Sequence, residues 1–335
     1  MRDEMKKAPR LRFRGFQEDW ELCKLKEIVD VRSGRDYKHL GSGNIPVYGT
    51  GGYMLSVSEA LSYDEDAIGI GRKGTINNPY ILKAPFWTVD TLFYAIPKNN
   101  FDLNFIYSIF RKINWKSKDE STGVPSLSKT TINAVTVYIP SGSEQQRIGE
   151  FFKQIDNTIT LHQRELDQLK ELKKAYLQLM FPVKDERVPK LRFADFEGEW
   201  EQCKFFDMWE KSSDRNKELK YSSKDVLSVA KMTKNPVERN SSDEYMKTYN
   251  ILHYGDIAFE GNKSKDYSFG RFVLNNLQDG IVSHVFIVFK PKVKMDIDFM
   301  KVYINNEYFM KHHLVKATTK TLMMTTLNVQ DMNKQ

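Results

Sequence analysis

Residues 9–24 read PRLRFRGFQEDWELCK and residues 189–204 read PKLRFADFEGEWEQCK; nine of the sixteen positions are identical at a constant offset of 180. Self-similarity at that range means one structural unit present twice. Pro9/Pro189, Leu11/Leu191, Phe13/Phe193, Phe16/Phe196, Trp20/Trp200 and Cys23/Cys203 pair. Two cysteines cannot form a disulfide framework, and no Cys/His cluster has zinc-ligand spacing. Each cysteine is expected to fill the same buried spot in its own copy, as a small apolar residue and not a reactive thiol.

The similarity continues more faintly. Asp66-Ala-Ile-Gly-Ile-Gly-Arg72 has the shape of Asp256-Ile-Ala-Phe-Glu-Gly-Asn262, a short strand entering a Gly-containing loop. Val89–Ile96 parallels Val282–Phe289, both β-rich. Phe105–Phe110 parallels Phe299–Ile304 as helix, and Ser126–Asn133 parallels Thr326–Asn333. Framework positions agree while polar loops diverge. A plain duplication would not need that contrast; two readers of different targets would, because loops on a rigid scaffold carry recognition.

Between the copies lies a helix. Ser143 with Gln146 three residues on has a capping-box pattern. Ile148, Phe152, Ile155, Ile159, Leu166, Leu169, Tyr176 and Met180 then recur at alternating spacings of four and three, a coiled-coil seam. Gly149 weakens only its start, and Pro182 ends it. At 1.5 Å per residue the stretch 144–180 spans on the order of 55 Å. His162 on this stripe reads as a register or edge residue. A lone helix cannot bury such a seam. The mate expected after the second copy is absent from a chain ending at Gln335, so a truncation or a second molecule is expected to account for it.

With 335 residues, 40% apolar and 13% aromatic, the composition supports two cores and argues against disorder. No run approaches a membrane span, and the charged first nine residues lack a signal-peptide core; a cytoplasmic, metal-free protein is expected. The net charge of +7 favours an anionic partner weakly. Glu144–Phe181 holds six basic and six acidic residues, so the surplus lies in the flanking copies.

The repeated Pro-x-Leu-Arg-Phe-x-x-Phe-x-x-x-Trp openings, Pro125-Ser-Leu-Ser-Lys129, Ile139-Pro140, and Glu144-Gln-Gln-Arg-Ile148 with Phe151-Phe152 resemble the specificity subunits of type I restriction-modification systems. The resemblance covers nearly the whole chain. It implies an α+β fold: two tandem mixed α/β target-recognition domains joined by a long coiled-coil-type helix. The boundaries are an extension at 1–8, domain one at 9–140, the spacer helix at 141–181, a linker at 182–188, and a shortened domain two at 189–335 without a second spacer helix. It further implies a non-catalytic, sequence-specific DNA-binding subunit reading a bipartite double-stranded site. Methyltransferase subunits and a motor-nuclease restriction subunit would be its partners, and these would carry S-adenosylmethionine, ATP and Mg. No cofactor is expected in this chain.

Contact with DNA is expected at glycine-rich loops, where backbone can approach closely. In copy one these are Thr50, Gly51 and Tyr53; Arg72, suited to a guanine edge, with Lys73 and Thr75 suited to phosphate; and Ser126, Ser128 and Lys129. In copy two they are Asn262, Lys263, Lys265, Arg271, Thr319 and Lys320. The helix face Ile148, Phe152, Ile155, Ile159, Leu166, Leu169 and Tyr176 is expected to meet a partner helix.

Catalytic motifs are missing by spacing. Asn77-Asn-Pro-Tyr80 lacks the second proline of an adenine-methyltransferase loop and reads as a turn. Gly69-Ile-Gly-Arg-Lys-Gly74 fails the P-loop spacing. Alternatives left open are an enzyme with unrecognised motifs, a truncated or inactive specificity fragment, and an adaptor that dimerises through its helix without binding DNA.

Overall fold

A computed structural model describes residues 9–183, 186–234, 242–262, 267–320 and 324–335. It is a mixed α/β chain of two compact units, Met1–Ala175 and Tyr176–Gln335.

In the first unit a four-stranded antiparallel sheet runs Val29–Ser33, Leu92–Pro97, Ala67–Gly71, Tyr80–Leu82. Strand residues point alternately to opposite faces. Ile68, Ile70, Phe93 and Ala95 therefore meet a helical layer through Phe105, Ile106, Phe110, Trp115 and Ile132. Ala67, Leu82, Tyr94 and Ile96 pack on the other face with Phe86. A second sheet, Gly52–Val57, Ser42–Gly49, Trp87–Thr88, flanks this one, and Glu21–Lys24 pairs with Thr136–Ile139.

The second unit repeats the main sheet as Trp209–Lys211, Ile287–Pro291, Ile257–Glu260, Arg271–Leu274. Its helix Ile297–Ile304 starts like Leu103–Lys112: Asp296 and Asp102 each accept the N–H of the phenylalanine three residues on, at 2.7 and 2.8 Å.

The strand registers correct two of the expected alignments by one residue. Val29 faces Pro97 and Trp209 faces Pro291, while Ile68 faces Ala95 and Ile257 faces Phe289. Ile68 thus corresponds to Ile257, not Ala258, and Ala95 to Phe289, not Val288. A one-residue slip exchanges the sheet faces, so only this register puts the large residues on the helical side.

The spacer helix runs Gly142–Leu179. It starts before Ser143, so the expected capping box with Gln146 does not form; the Ser141 carbonyl accepts the Gln145 N–H at 2.9 Å instead. Gly149 is required by packing, because a Cβ there would lie 2.2 Å from Asp102 Oδ1.

The cysteines do not match. Cys23 is half-buried and Cys203 exposed. Cys23 lies on a strand covered by Thr136–Ile139, whereas no strand pairs with residues 201–204 among the described residues. Burial pushes the Cys23 thiol up, with Glu27 and Glu21 adding to it.

Candidate nucleic-acid interface

Three loops of copy one converge. The strands Ser42–Gly49 and Gly52–Val57 form a hairpin with Gly49 opposite Gly52, leaving Thr50 and Gly51 as its tip. Gly52 has φ +105°, a conformation open to glycine and poor for other residues. Tyr80 clamps this hairpin: its hydroxyl donates to the Gly49 carbonyl at 2.5 Å. Burial raises the Tyr80 phenol well above its ordinary range, so it stays a donor.

The second loop leaves the central strand at Gly71. A Cβ there would lie 2.1 Å from the Thr75 carbonyl oxygen, so the tight return of the chain requires glycine. The N–H groups of Arg72 and Lys73 donate to the Thr91 carbonyl at 2.8 and 3.3 Å. The third loop is stitched onto the second, since Gly74 N–H donates to the Pro125 carbonyl (2.8 Å) and Leu127 N–H to the Arg72 carbonyl (3.0 Å). Gly74 in turn sits against the Thr50 hydroxyl, 3.9 Å from its Cβ position. Asp119 pins the third loop from behind. Hydrogen bonds from the Ser126 and Ser121 amides hold its carboxyl below the usual carboxylate range.

Backbone satisfaction therefore fixes the loops and leaves side chains facing out. Tyr53, Arg72, Lys73 and Thr75 are exposed. The Arg72 guanidinium lies 5.7 Å from the Phe93 ring centroid and touches the Asp90 carbonyl at 3.4 Å, both weak restraints. Lys73 makes no ion pair among the described residues. Ser126 is half-buried and Lys129 exposed on the first turn of Lys129–Ala134. Ser128 differs from expectation: its hydroxyl accepts the Thr131 N–H and donates to Glu120 at 2.9 Å, so it is spent as a helix cap.

Copy two departs further. Asn262 bridges to Met324 as Lys73 bridges to Ser126, which puts Gly261 where copy one has Arg72. Arg271, expected among the residues that contact DNA, has its guanidinium engaged within the fold. Its guanidinium pairs with buried Glu260 at 2.7 Å, donates to the Ala230 carbonyl at 2.7 Å and lies 4.6 Å from the Tyr267 ring centroid. Thr319 and Lys320 sit on the hairpin of Thr318–Lys320 with Thr325–Leu327, and the Lys320 ammonium is 3.6 Å from the Phe269 ring centroid. Lys263 and Lys265 lie outside the described residues.

On the spacer helix, Phe152, Ile155, Ile159, Leu166, Leu169 and Tyr176 are exposed. Ile148 differs: it is half-buried and packs on the copy-one core. His162 pairs with Glu165 one turn on. Arg111 ties the helix down through Asp156 at 3.0 Å.

The sequence offered no signal for Tyr80, Asp119 or the pairing of Arg12 with Glu144, whose guanidinium and carboxylate meet through two 2.7 Å hydrogen bonds. Among the described residues no group of three His, Cys, Asp or Glu is placed to hold a metal, and no helix is long and apolar enough to cross a membrane.

A family described as "Type I restriction modification DNA specificity domain" matches residues 17–171. The type I restriction enzyme MjaVIII specificity subunit of Methanocaldococcus jannaschii is 24% identical over 213 residues, covering 52% of this chain and 48% of that relative. This chain thus spans about half the length of the curated relative it matches. The S subunit of the type I restriction-modification system from M. genitalium shares the fold with a TM-score of 0.61 at 11% identity, over 98% of this chain and 90% of that one.

Proposed function

We propose, from the premise that this chain belongs to the type I restriction-modification specificity family through residues 17–171, that it reads a bipartite double-stranded DNA site and performs no chemistry itself. The supporting observation is the stitched loop cluster of copy one. It presents Arg72 and Lys73 from backbone that is already hydrogen-bonded, with exposed Thr75 in the same loop and half-buried Thr50 against Gly74, so docking on DNA need not order this loop first. Arg72 offers a planar fork for a guanine edge, and Lys73 and Thr75 suit phosphate. Copy two would read the second half-site through Asn262, Thr319 and Lys320, with Arg271 as scaffold.

Under this reading methyl transfer and cleavage reside in methyltransferase subunits and a motor-nuclease restriction subunit, which bring S-adenosylmethionine, ATP and Mg. The complex would work in the cytoplasm. The exposed stripe of the spacer helix favours a second arrangement, in which two copies of this chain pair along it.

Co-expression with the cognate methyltransferase subunit and genome-wide mapping of methylated adenines tests the reading. A split motif with two constant halves is expected; a symmetric motif points to a dimer using one domain. Arg72→Ala should relax discrimination at one base, with a loss of about 1–3 kcal/mol for the cognate site, whereas Lys73→Ala should weaken all sequences alike and reduce the salt slope by about one. Unchanged affinity and methylation in both variants would remove this loop from the interface.

A further inference from the structure

The hairpin of copy one has a counterpart that residue order hides. Val47 pairs in parallel with Trp87, and Val226 bridges Ile281 in parallel. Trp87 lies eight residues before Ala95 and Ile281 eight before Phe289, so both parallel pairs occupy the same place in the register of the main sheets. Leu227–Ser228 with Thr233–Lys234 is therefore copy two's version of Ser42–Gly49 with Gly52–Val57. The clamp recurs as well. In copy one the strand Tyr80–Leu82 sends the Tyr80 hydroxyl to the Gly49 carbonyl. The corresponding strand of copy two, Arg271–Leu274, sends the Arg271 guanidinium to the Ala230 carbonyl at 2.7 Å.

The two tips differ in what they offer. Copy one turns through Thr50-Gly51-Gly52, without a cation; copy two turns through Val229-Ala-Lys-Met232, without a glycine. Val229 is buried, and half-buried Met232 packs on the same cluster. Met232 has φ +47°, a left-handed conformation that residues with a side chain seldom adopt. It is held there by that packing and by its N–H, which donates to the Ser228 carbonyl at 2.7 Å. With its apolar neighbours turned inward, Lys231 stands exposed at the apex. Its ammonium has no carboxylate partner among the described residues. The same end of copy two gathers the other candidates. Glu260, opposite Arg271, runs into Gly261-Asn262, and the Lys320 ammonium lies 3.6 Å from the ring centroid of Phe269, two residues before Arg271.

We propose that the 229–232 tip of copy two contacts the DNA backbone of the second half-site, with the Lys231 ammonium on a phosphate and Arg271 as the residue that positions the tip. The proposal rests on the DNA-reading function given above and adds a contact that the glycine-and-cation reading of the sequence passed over. A lysine ammonium is a compact, rotatable point charge suited to phosphate, whereas a guanine edge is matched by a planar fork. The fork that copy two holds here is spent on Glu260 and Ala230, so this tip binds by charge. The glycine tip of copy one instead admits close approach of backbone.

The test measures binding of a random-sequence DNA duplex to the full-length chain across a salt series, with Lys73→Ala as the copy-one reference. Lys231→Gln should weaken binding about five- to tenfold at about 0.1 M salt and lower the salt slope by about one. Lys231→Arg should restore both. Urea unfolding of Lys231→Gln should match the wild type, which separates a lost contact from a lost fold, and duplex should slow hydrogen exchange of the amides of residues 228–233. An unchanged slope in Lys231→Gln overturns this proposal, and a lowered slope for Lys73→Ala in the same series shows that the DNA-reading function survives it. Absence of salt-dependent binding by the wild type overturns both.

Discussion

Gly149→Ala inverts an ordinary expectation. In a solvent-exposed helix interior this exchange stabilises by about 1 kcal/mol, because alanine loses less backbone entropy. Here the added methyl would lie 2.2 Å from Asp102 Oδ1, 2.9 Å from Phe105 N and 3.1 Å from Asn104 Cβ. The first two atoms are the two ends of the bond that caps Leu103–Lys112. The methyl must both loosen that cap and crowd the spacer helix against the domain. Losing a cap costs about 1 kcal/mol, and overpacking costs about 1–3 kcal/mol. Set against the helix-propensity gain, the net effect is a loss of about 1–3 kcal/mol, carried by this contact. Hydrogen exchange of the amides of residues 105–112, followed by mass spectrometry, reads it directly; they should exchange about 5- to 150-fold faster than in the wild type. Glu150→Ala, one residue on and exposed, should leave them unchanged. Unchanged or slower exchange in Gly149→Ala would refute the close approach of the two helices.

Tyr80→Phe removes the hydroxyl that holds the Gly49 carbonyl, worth about 1 kcal/mol. Residues 48–54 should exchange faster and DNA affinity should fall a few-fold at unchanged salt slope, since no phosphate contact is lost; an unaffected hairpin would deny Tyr80 its clamping role. Asp256 predicts a pH effect in the second unit. Burial raises its carboxyl to about 6, so the folded state holds a proton that the unfolded state has released. Stability from this group is therefore lost as pH rises from about 4 through about 6. Asp256→Asn keeps an acceptor for the His253 N–H, which Asp256 Oδ2 takes at 2.9 Å. The variant should exceed the wild type by about 3 kcal/mol at pH 7 and nearly match it at pH 4 in urea unfolding; a pH-independent difference would contradict the assignment.

Much of the architecture was legible because it is local or periodic. Nine shared positions at one offset disclosed the duplication, and the alternation of threes and fours disclosed the spacer helix. Element types were readable too, since apolar runs next to glycine loops mark strands. Register was not. Faint similarity tolerates a one-residue shift that the sheet faces do not, and Ile68 found its true counterpart in Ile257 only through hydrogen-bond pairing. The candidate interface divides in the same way. Glycines and cations marked the Arg72–Thr75 loop, but Tyr80 and Asp119 reach it from other segments without a motif.

Residue order alone disclosed one α/β unit occurring twice around a long helix, because repeat and period can be read along the chain without any long-range contact. Tertiary structure decided which polar groups remain available. Arg72 stays outside while Arg271 is consumed by Glu260, and Cys23 is covered while Cys203 is not. Each outcome turns on a partner brought close by folding, and hydrogen bonding and burial are settled by that approach, not by residue type.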